Sequence, residues 1–236
     1  MPSRLPSLRQ PPIGFAHRGA RAHAPENTIE SFQLALRLGA TGLESDVWLS
    51  ADGQAVLDHD GFVGGRLRRK PIRRATRAEL PESMPLLRDL YERCGTDAHL
   101  SLDIKDPAAI AEVILVARDA GAEDRLWVCH PDLELLAEWR ALSPTVQLVN
   151  STRLSRMKDG PERRAADLRD ARIDAVNLHH NDWSGGLITL FHRFGVLALG
   201  WDAQFERTLD GLLDAGIDGV FSDHTDLMMS AISRVA

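Results

Sequence analysis

Short apolar runs alternate with longer segments of helical periodicity along almost the whole chain. From Ile13 onward the runs are rich in Val, Ile, Leu, Phe and Trp, which is typical of buried strands in a parallel sheet. Eight such runs predict eight strands: IGFAH, TGLESDVWL, HLSLDIK, RLWVCH, VQLVN, AVNLHH, VLALGW and DGVFSD.

The segments between these runs carry apolar residues at i, i+3 and i+4, and each predicts one helix after a strand. One example is the stripe formed by Ile110, Val113, Ile114 and Ala117. The predicted helices cover 28–38, 84–94, 107–120, 132–142, 161–172, 186–194, 205–215 and 225–235. Several of them are followed by a glycine, which is a common stop signal for a helix.

Eight strand–helix repeats in about 225 residues are the number that a (β/α)₈ barrel needs. The sequence therefore predicts a TIM barrel that occupies residues 13–236 as a single domain. An open, doubly wound sheet usually has fewer repeats and is the second possibility. Residues 1–12 contain four prolines and no periodicity, so we expect a tail or an arm that covers an edge of the barrel.

The region after the second strand departs from the simple repeat. Residues 54–59 (QAVLDH) follow an Asp-Gly turn and predict an extra short strand that pairs back on the second strand. A basic loop follows, with seven Arg or Lys residues between Arg66 and Arg77. This loop either balances an acidic chain as a solvated surface or raises the local concentration of an anionic substrate.

Composition narrows the class of protein. The chain of 236 residues is 44% hydrophobic and carries a net charge of −6, and residues outside 61–80 carry −12. An acidic body argues against nucleic acid as a partner. No apolar stretch reaches the roughly 20 residues of a membrane span, and no signal peptide is visible, so we expect a cytoplasmic protein. Cys94 and Cys129 form neither a disulfide framework nor a thiolate zinc site. The oligomeric state is left open.

Carboxylates follow the second and third predicted strands. Glu44 and Asp46 are two residues apart on a strand, so their side chains share one face, and Asp103 repeats this arrangement on the next strand. Carboxylates that point into a barrel need a cation, because burial penalises unpaired charge. The positive charge comes either from a pair of salt bridges to Arg or Lys side chains or from a metal ion. Three oxygen ligands without cysteine favour one hard divalent cation, Mg²⁺ or Ca²⁺.

Two histidines flank these carboxylates. His17 ends the first strand and His59 ends the extra strand. Phosphodiester cleavage needs one group that removes a proton and another that protonates the leaving alcohol, and histidine suits both near neutral pH. Arg18 and Lys105 are candidates for holding the phosphate. Trp201 is either an apolar wall for the substrate or plain core.

Four segments of the chain together resemble the glycerophosphodiester phosphodiesterase family. They are FAHRGARAHAPENTIESF, GLESDVWLSADGQAVLDHD, LSLDIKD and DGVFSDHTD, and the resemblance extends from Ile13 to about Leu227. It implies a (β/α)₈ barrel, a divalent metal, and hydrolysis of a small phosphodiester to sn-glycerol 3-phosphate and an alcohol. Carried over by position, His17 and His59 are the acid and base, Glu44 and Asp46 hold the metal, and Arg18 and Lys105 hold the phosphate.

The chain departs from the family pattern at three places. The third carboxylate is Asp103 where the family usually has Glu, and sphingomyelinase-D-like barrels resemble this chain in having Asp-x-Lys there. Asp202 follows Trp201 where the family has Thr, and His224 follows Asp223 where Arg is common. Two alternatives therefore stay open: a phospholipase-D-like enzyme acting on lysophospholipids or sphingolipids, and a non-catalytic barrel that binds phosphorylated ligands.

Overall fold

A closed barrel of parallel strands forms the centre of the molecule. The computed structural model describes residues 4–65 and 69–235. The barrel strands are β1 (Ile13–Ala16), β2 (Gly42–Leu49), β6 (His99–Ile104), β7 (Leu126–His130), β8 (Gln147–Ser151), β9 (Ala175–His179), β10 (Leu197–Trp201) and β11 (Gly219–Ser222). Strand β1 pairs with both β2 and β11, so the sheet closes on itself. This closure confirms the barrel and rules out the open sheet.

A helix follows each barrel strand, as the apolar periodicity predicts. The helices are α1 (Ile29–Arg37), α2 (Leu87–Cys94), α3 (Ile110–Asp119), α4 (Leu133–Trp139), α5 (Gly160–Asp170), α6 (Gly185–Arg193), α7 (Glu206–Asp214) and α8 (Thr225–Ser233). Their ends carry local signals. Before α1, for example, the Thr28 hydroxyl accepts from the Ser31 amide, and Gly39 adopts a φ of +91° after the last turn.

The extra strand β3 (Ala55–Leu57) pairs antiparallel with the end of β2, as predicted. It carries the chain back towards the barrel, because Leu57 lies opposite Val47 and the Asp58 amide donates to the Asp46 carbonyl at 3.0 Å. Two short strands that the sequence pattern missed, β4 (Phe62–Val63) and β5 (Lys70–Pro71), pair within the following loop. Arg66 and Arg68 of the predicted basic loop lie outside the described residues.

The interior of the barrel is polar at the carboxyl ends of the strands and apolar beneath them. The Phe15 ring packs there against Trp127 and Phe221, with ring centres 5.8 and 4.6 Å away. Side chains alternate along a strand, so the residue two positions further on faces the same interior. After Phe15 that residue is His17, and after Phe221 it is Asp223. The polar residues at the carboxyl ends of the strands therefore stand on an apolar floor.

Residues 4–12 lie across the opposite end of the barrel. The Leu5 amide donates to the Asp214 carbonyl, and the Ser7 side chain and the Leu8 amide donate to Asp218. Gly216 adopts a φ of +87°, and a Cβ there would lie 2.8 Å from a Pro6 carbonyl oxygen. No helix within residues 4–65 and 69–235 is both long and apolar enough to cross a bilayer.

Candidate active site

A cavity of about 500 Å³ opens at the carboxyl ends of the barrel strands. This is the end at which TIM-barrel enzymes place their active sites. One half of its lining comes from the first strands and includes His17, Glu44 and Asp103. The other half comes from β8 to β10 and includes Asn177 and Trp201. The two halves differ in chemistry, since Glu44 and Asp103, the carboxylates named from the sequence that line the cavity, both belong to the first.

Three carboxylates meet in that first half. Asp46 and Asp103 are direct partners in the register of β2 and β6, and Glu44 shares the inward face of Asp46. Oxygen atoms of the three side chains lie within 4.8 Å of one another. Side-chain exposure is 7% for Glu44 and 3% for Asp46, against 36% for Asp103. Burial, followed by the charges of Asp46 and Asp103, raises the pKa of Glu44 to about 8 despite the opposing charge of His17.

Two cationic side chains contact this carboxylate cluster. Lys105 Nζ lies 2.9 Å from Asp46 Oδ1 and 3.1 Å from Asp103 Oδ2. Arg18 lies between Asp46, whose Oδ2 is 3.2 Å from its Nε, and Glu26, which accepts from its Nη1 at 3.1 Å. The ion pairs considered as an alternative to a metal are thus present for Asp46 and Asp103. Within residues 4–65 and 69–235, Glu44 has only the Arg18 amide, at 2.9 Å, and His17, at 3.8 Å.

The residues of this cluster fit a divalent cation. Asp46 Oδ2 and Arg18 Nε are close, but neither has a well-directed hydrogen bond among the described residues. In the contact network Glu26, Glu44, Asp46, Asp103 and Asp223 face three cations, namely Arg18, Arg21 and Lys105. With His17 neutral and Glu44 ionised this leaves an excess of two negative charges, which is the state that a bound cation would stabilise. An all-oxygen donor set of this charge is typical of Mg²⁺ or Ca²⁺ sites.

His17 is held by a carboxylate from the last strand. Its Nδ1 lies 2.6 Å from Asp223 Oδ1, and the backbone amide of Asp223 donates to Gln204 Oε1 at 2.9 Å. Burial alone would lower the pKa of His17, but the charge of Glu44 and the hydrogen bond to Asp223 outweigh it and raise the pKa above its ordinary value. Because a carboxylate only accepts, Nδ1 carries the proton and Nε2 faces Glu44.

His59 lies at the rim rather than in the cavity. Strand β3 returns the chain to the level of Asp46, and His59 follows two residues after that strand ends. Its Nδ1 lies 2.9 Å from Asp60 Oδ1, and its side chain is 42% exposed. Among the described residues it makes no ion pair or hydrogen bond with the carboxylate cluster. The structure thus places His17 and the three carboxylates together and leaves His59 outside this group, in contact with Asp60.

The backbone at Arg18 is unusual. Its φ is +52°, a left-handed conformation that costs a non-glycine residue free energy unless neighbours hold it. Hydrogen bonds do so from both sides, because its amide donates to Glu44 and its carbonyl accepts from the Asn27 amide at 3.0 Å. Gly19 follows with a φ of +80°, and a Cβ there would lie 2.4 Å from the Ser31 hydroxyl. The conformation aims the guanidinium of Arg18 at Asp46.

Sequence reasoning assigned no role to several residues of the site. Asp223 lies 206 positions from His17, so no local pattern could pair them. Arg21 Nη1 lies 3.4 Å from Asp223 Oδ2. Glu26 and Asn27 belong to the PENT segment, and Asn27 accepts a buried hydrogen bond from Ser45 at 2.8 Å. The only signal along the chain was the position of each residue directly after a strand or in the loop behind it.

Three further residues lie near strand ends. Trp201 lines the cavity, and its ring meets His179 edge-on with centres 4.6 Å apart. Asn177 also lines the cavity, and its Nδ2 donates to the Ser151 hydroxyl at 3.4 Å. His130 accepts from the Asp132 amide and packs against Trp139, which is a structural arrangement.

A closed barrel with a carboxylate cluster, a carboxylate-bound histidine and cations at its catalytic end defines an enzyme that acts on phosphate esters. The model of the glycerophosphoryl diester phosphodiesterase family matches residues 17–227. The chain belongs to this family, and it is an enzyme of the phosphoric diester hydrolase class.

The similar proteins have about the same length as this chain. A glycerophosphodiester phosphodiesterase from Caldanaerobacter subterraneus subsp. tengcongensis is 23% identical over 243 residues, which cover 93% of this chain and 97% of the relative. A second one, from Bacillus altitudinis, is 25% identical over 238 residues, which cover 90% and 94%.

Solved structures show the same fold. The glycerophosphodiester phosphodiesterase of Thermotoga maritima superposes with a TM-score of 0.80 at 25% identity and covers 92% of this chain and 97% of its own. A phosphodiesterase from Oleispira antarctica, solved in complex with the product sn-glycerol-3-phosphate, superposes with a TM-score of 0.82 at 24% identity. This match covers 94% of this chain and 97% of that protein.

Proposed function

We propose that the protein hydrolyses glycerophosphodiesters to sn-glycerol 3-phosphate and an alcohol, with a divalent cation and with His17 and His59 as acid and base. The observation that carries this proposal is the meeting of three carboxylates within 4.8 Å beside the imidazole of His17 in one cavity. The family match and the product-bound relative support the substrate class.

Glu44, Asp46 and Asp103 would hold the cation. Their charge exceeds that of Arg18 and Lys105, and Glu44 has no cationic partner other than His17 among the described residues. When bound, the cation supplies charge neutralisation for a phosphate oxygen. Asp103 is one methylene shorter than the glutamate that the family resemblance implies, and its partial exposure leaves it beside the open cavity. Both Mg²⁺ and Ca²⁺ suit these ligands.

His17 would move one of the two protons that cleavage transfers. Asp223 fixes Nδ1 as the donor, so Nε2 of the neutral ring is free to accept a proton on the cavity side. His59, oriented by Asp60, would move the other proton. One imidazole activates the nucleophile, either water or the 2-hydroxyl of glycerol, and the other protonates the departing alcohol. The proton that the base takes from the nucleophile is matched by the proton that the acid gives to the leaving alcohol. Exchange with solvent, or the reversed roles when water opens a cyclic phosphate, restores both rings.

Arg18 and Lys105 would bind the phosphate oxygens. Both already lie against Asp46, so their positive charges face the place where the phosphate must approach the carboxylates. Burial would lower the pKa of Lys105, but the charges of Asp103 and Asp46 raise it, so the ammonium stays charged. Trp201 would form an apolar wall beside the carbon skeleton, since it lines the same cavity.

Hydrolysis of glycerophosphocholine, followed by phosphorus NMR, tests this function. We expect the diester signal to convert into that of sn-glycerol 3-phosphate, to stop with EDTA, and to resume with Mg²⁺ or Ca²⁺. Unchanged turnover in EDTA would contradict the metal. Absence of turnover of both glycerophosphocholine and the neutral glycerophosphoglycerol with either metal would contradict the substrate class. Cleavage of lysophosphatidylcholine without cleavage of glycerophosphocholine would instead support the phospholipase-D-like alternative.

A further inference from the structure

The half of the cavity that lies away from the carboxylates carries two arginines of the loop after β8. Arg153 and Arg156 line the same cavity as His17 and Glu44. The proposed reaction gives them no part, since the scissile phosphate lies beside the carboxylate cluster. Under the proposed function, on which this inference rests, a substituent of the scissile phosphate extends into this half of the cavity. The side chains here therefore act on which substituent is accepted.

Arg153 is fixed in place. Its Nε donates to Asp182 Oδ2 at 2.6 Å and its Nη2 to Asp182 Oδ1 at 3.1 Å, so two parallel bonds hold the guanidinium plane. The Leu154 amide donates to the same carboxylate at 3.1 Å, which ties the loop to it. The guanidinium carbon lies 5.8 Å from the ring centre of Trp201. The result is a rigid wall with an aromatic face and a positive edge.

Arg156 adds a positive charge to this wall, whereas the charge of Arg153 is balanced by Asp182. Its side chain is exposed, and in the described part of the chain no carboxylate lies within ion-pair distance of it. A second cavity of about 290 Å³ adjoins through Arg156 and is lined by basic residues, among them Lys158 and Arg164, together with Asp159 and Asp167. Residues 153–164 contain five basic and two acidic residues in a chain of net charge −6. Arg156 therefore leaves this side of the cavity with a positive charge that no described carboxylate balances.

One carboxylate, that of Asp202, lies in the same half. Its Oδ2 is 3.1 Å from His179 Nε2, and its Oδ1 accepts from Gln204 at 3.2 Å. His179 Nδ1 accepts from the Asn181 amide at 3.2 Å, so the proton of the neutral ring is on Nε2 and is donated to Asp202. Both oxygens of Asp202 are thus engaged by donors. The same tautomer leaves Nε2 without a lone pair for a metal ion.

We propose that Arg153 and Arg156 form an anion subsite for the leaving alcohol. The enzyme then prefers glycerophosphodiesters whose alcohol carries a phosphomonoester or a carboxylate. The scissile phosphate lies at the carboxylate cluster, and the second anion lies across the cavity between the two guanidinium groups. Planar guanidinium groups bind both kinds of oxyanion through paired N–H donors. An alcohol that carries a cation meets like charge there.

Three substrates that differ only at the end of the alcohol test this subsite. They are glycerophosphoglycerol, which is neutral, its terminal phosphate ester, and glycerophosphoglycerate, which carries a carboxylate. We expect kcat/KM to be higher for the two anionic substrates. In Arg156→Gln the ratio of anionic to neutral kcat/KM should fall about threefold to tenfold, the range expected when a partly exposed charge-assisted bond is lost. Arg37→Gln removes an exposed charge at the end of α1 and should leave the ratio unchanged.

A ratio that is the same in the wild type and Arg156→Gln, or a wild-type preference for the neutral substrate, overturns the subsite. If the ratio exceeds one in the wild type and falls in Arg156→Gln for the phosphate ester alone, or for the carboxylate alone, the result supports the subsite and identifies its anion. Calorimetry with His17→Ala protein reads binding without turnover. If the wild type cleaves none of the three substrates, tighter binding of the anionic ones that Arg156→Gln removes still supports the subsite, and equal binding overturns it.

Discussion

Each end of the barrel contains a buried carboxylate, and the two have opposite surroundings. At the end away from the cavity, Asp218 accepts from the Ser7 hydroxyl, the Leu8 amide, the His192 ring and the Ala198 amide at 2.6 to 2.7 Å. At the catalytic end, Glu44 accepts one backbone bond and lies among other carboxylates. Both side chains are almost inaccessible to solvent.

The pKa values follow these surroundings. Burial alone would raise the pKa of Asp218, but the hydrogen bonds from His192, Ser7 and Ala198 outweigh it and hold the pKa below its usual range. At Glu44, burial and two neighbouring carboxylates prevail, and the pKa rises to about 8. A buried carboxylate with a full set of donors stabilises a fold. One that lacks them keeps a free energy cost that a bound cation can relieve.

Removal of a proposed acid or base should have the largest effect. His17→Ala and His59→Ala should each lower kcat by about 10²- to 10⁴-fold, the usual contribution of one such group. The fold and metal binding should persist, because neither ring is part of the apolar core. Steady-state kinetics on a diester with a poor leaving group measures this. His23→Ala, which removes a histidine paired with Asp226 on the same end of the barrel, is the control. Near-full activity of either variant would exclude that histidine as acid or base.

Loss of the carboxylate behind His17 should have a smaller effect. Asp223→Asn keeps the size of the side chain but removes the charge that accepts the hydrogen bond from His17 Nδ1. We therefore expect kcat to fall about 10- to 100-fold while KM changes little. The matched control is Asp226→Asn, which makes the same change beside the exposed His23 and should leave kcat unaltered. A rise in KM at constant kcat would show that Asp223 acts on substrate binding rather than on His17.

At the other end, the same substitution should affect stability instead of activity. Asp218→Asn should lower the free energy of unfolding by about 2 to 4 kcal/mol, because several buried donors lose a charged acceptor. Activity per folded molecule should stay the same. Urea denaturation measures the change, and Asp214→Asn, an exposed carboxylate nearby, should change it by less than about 0.5 kcal/mol.

The stability that Asp218 provides should depend on pH with a defined sign. Its folded pKa lies below the unfolded value, so its contribution is complete above the unfolded pKa of about 3.9 and is lost as the pH falls through the folded pKa. Asp218→Asn should therefore lose less stability on acidification than the wild type between about pH 5 and pH 2. If the free energy of unfolding falls in parallel for the wild type and Asp218→Asn in this range, the pKa of Asp218 does not change on folding.

The basic loop should contribute least. Arg73 and Arg74 are exposed, and Arg69 lies 3.9 Å from Asp60, next to His59. The variant replaces Arg68, Arg69, Arg73 and Arg74 with Gln. We expect a several-fold lower kcat/KM, a flatter dependence on ionic strength and nearly constant kcat, since steering acts over roughly a Debye length of 8 Å. The control replaces Arg37, Arg93, Arg169 and Arg193, which lie in last turns of helices. If the dependence of kcat/KM on ionic strength is unchanged in the loop variant, the loop is a solvated surface without a role in steering.

The barrel and its carboxylates could be predicted because they follow local rules. Period-two and period-3.6 patterns mark strands and helices, and a polar residue after each strand marks the catalytic end. Asp46 and Asp103 share a face by spacing alone, but only the register of β2 and β6 shows that they are neighbours. The contact of His17 with Asp223 joins the two ends of the chain. The donors around Asp218 come from separate segments, so no pattern along the sequence could reveal them.

Calorimetric titration with Mg²⁺ and with Ca²⁺ tests the contrast between the two ends most directly. We expect the wild type and Asp218→Asn to bind one divalent cation per chain, and Asp46→Asn to bind it much more weakly and to recover part of its activity at high metal concentration. Absence of binding by the wild type at millimolar metal, or equal binding by Asp46→Asn, would contradict the assignment of Glu44, Asp46 and Asp103 to a metal site.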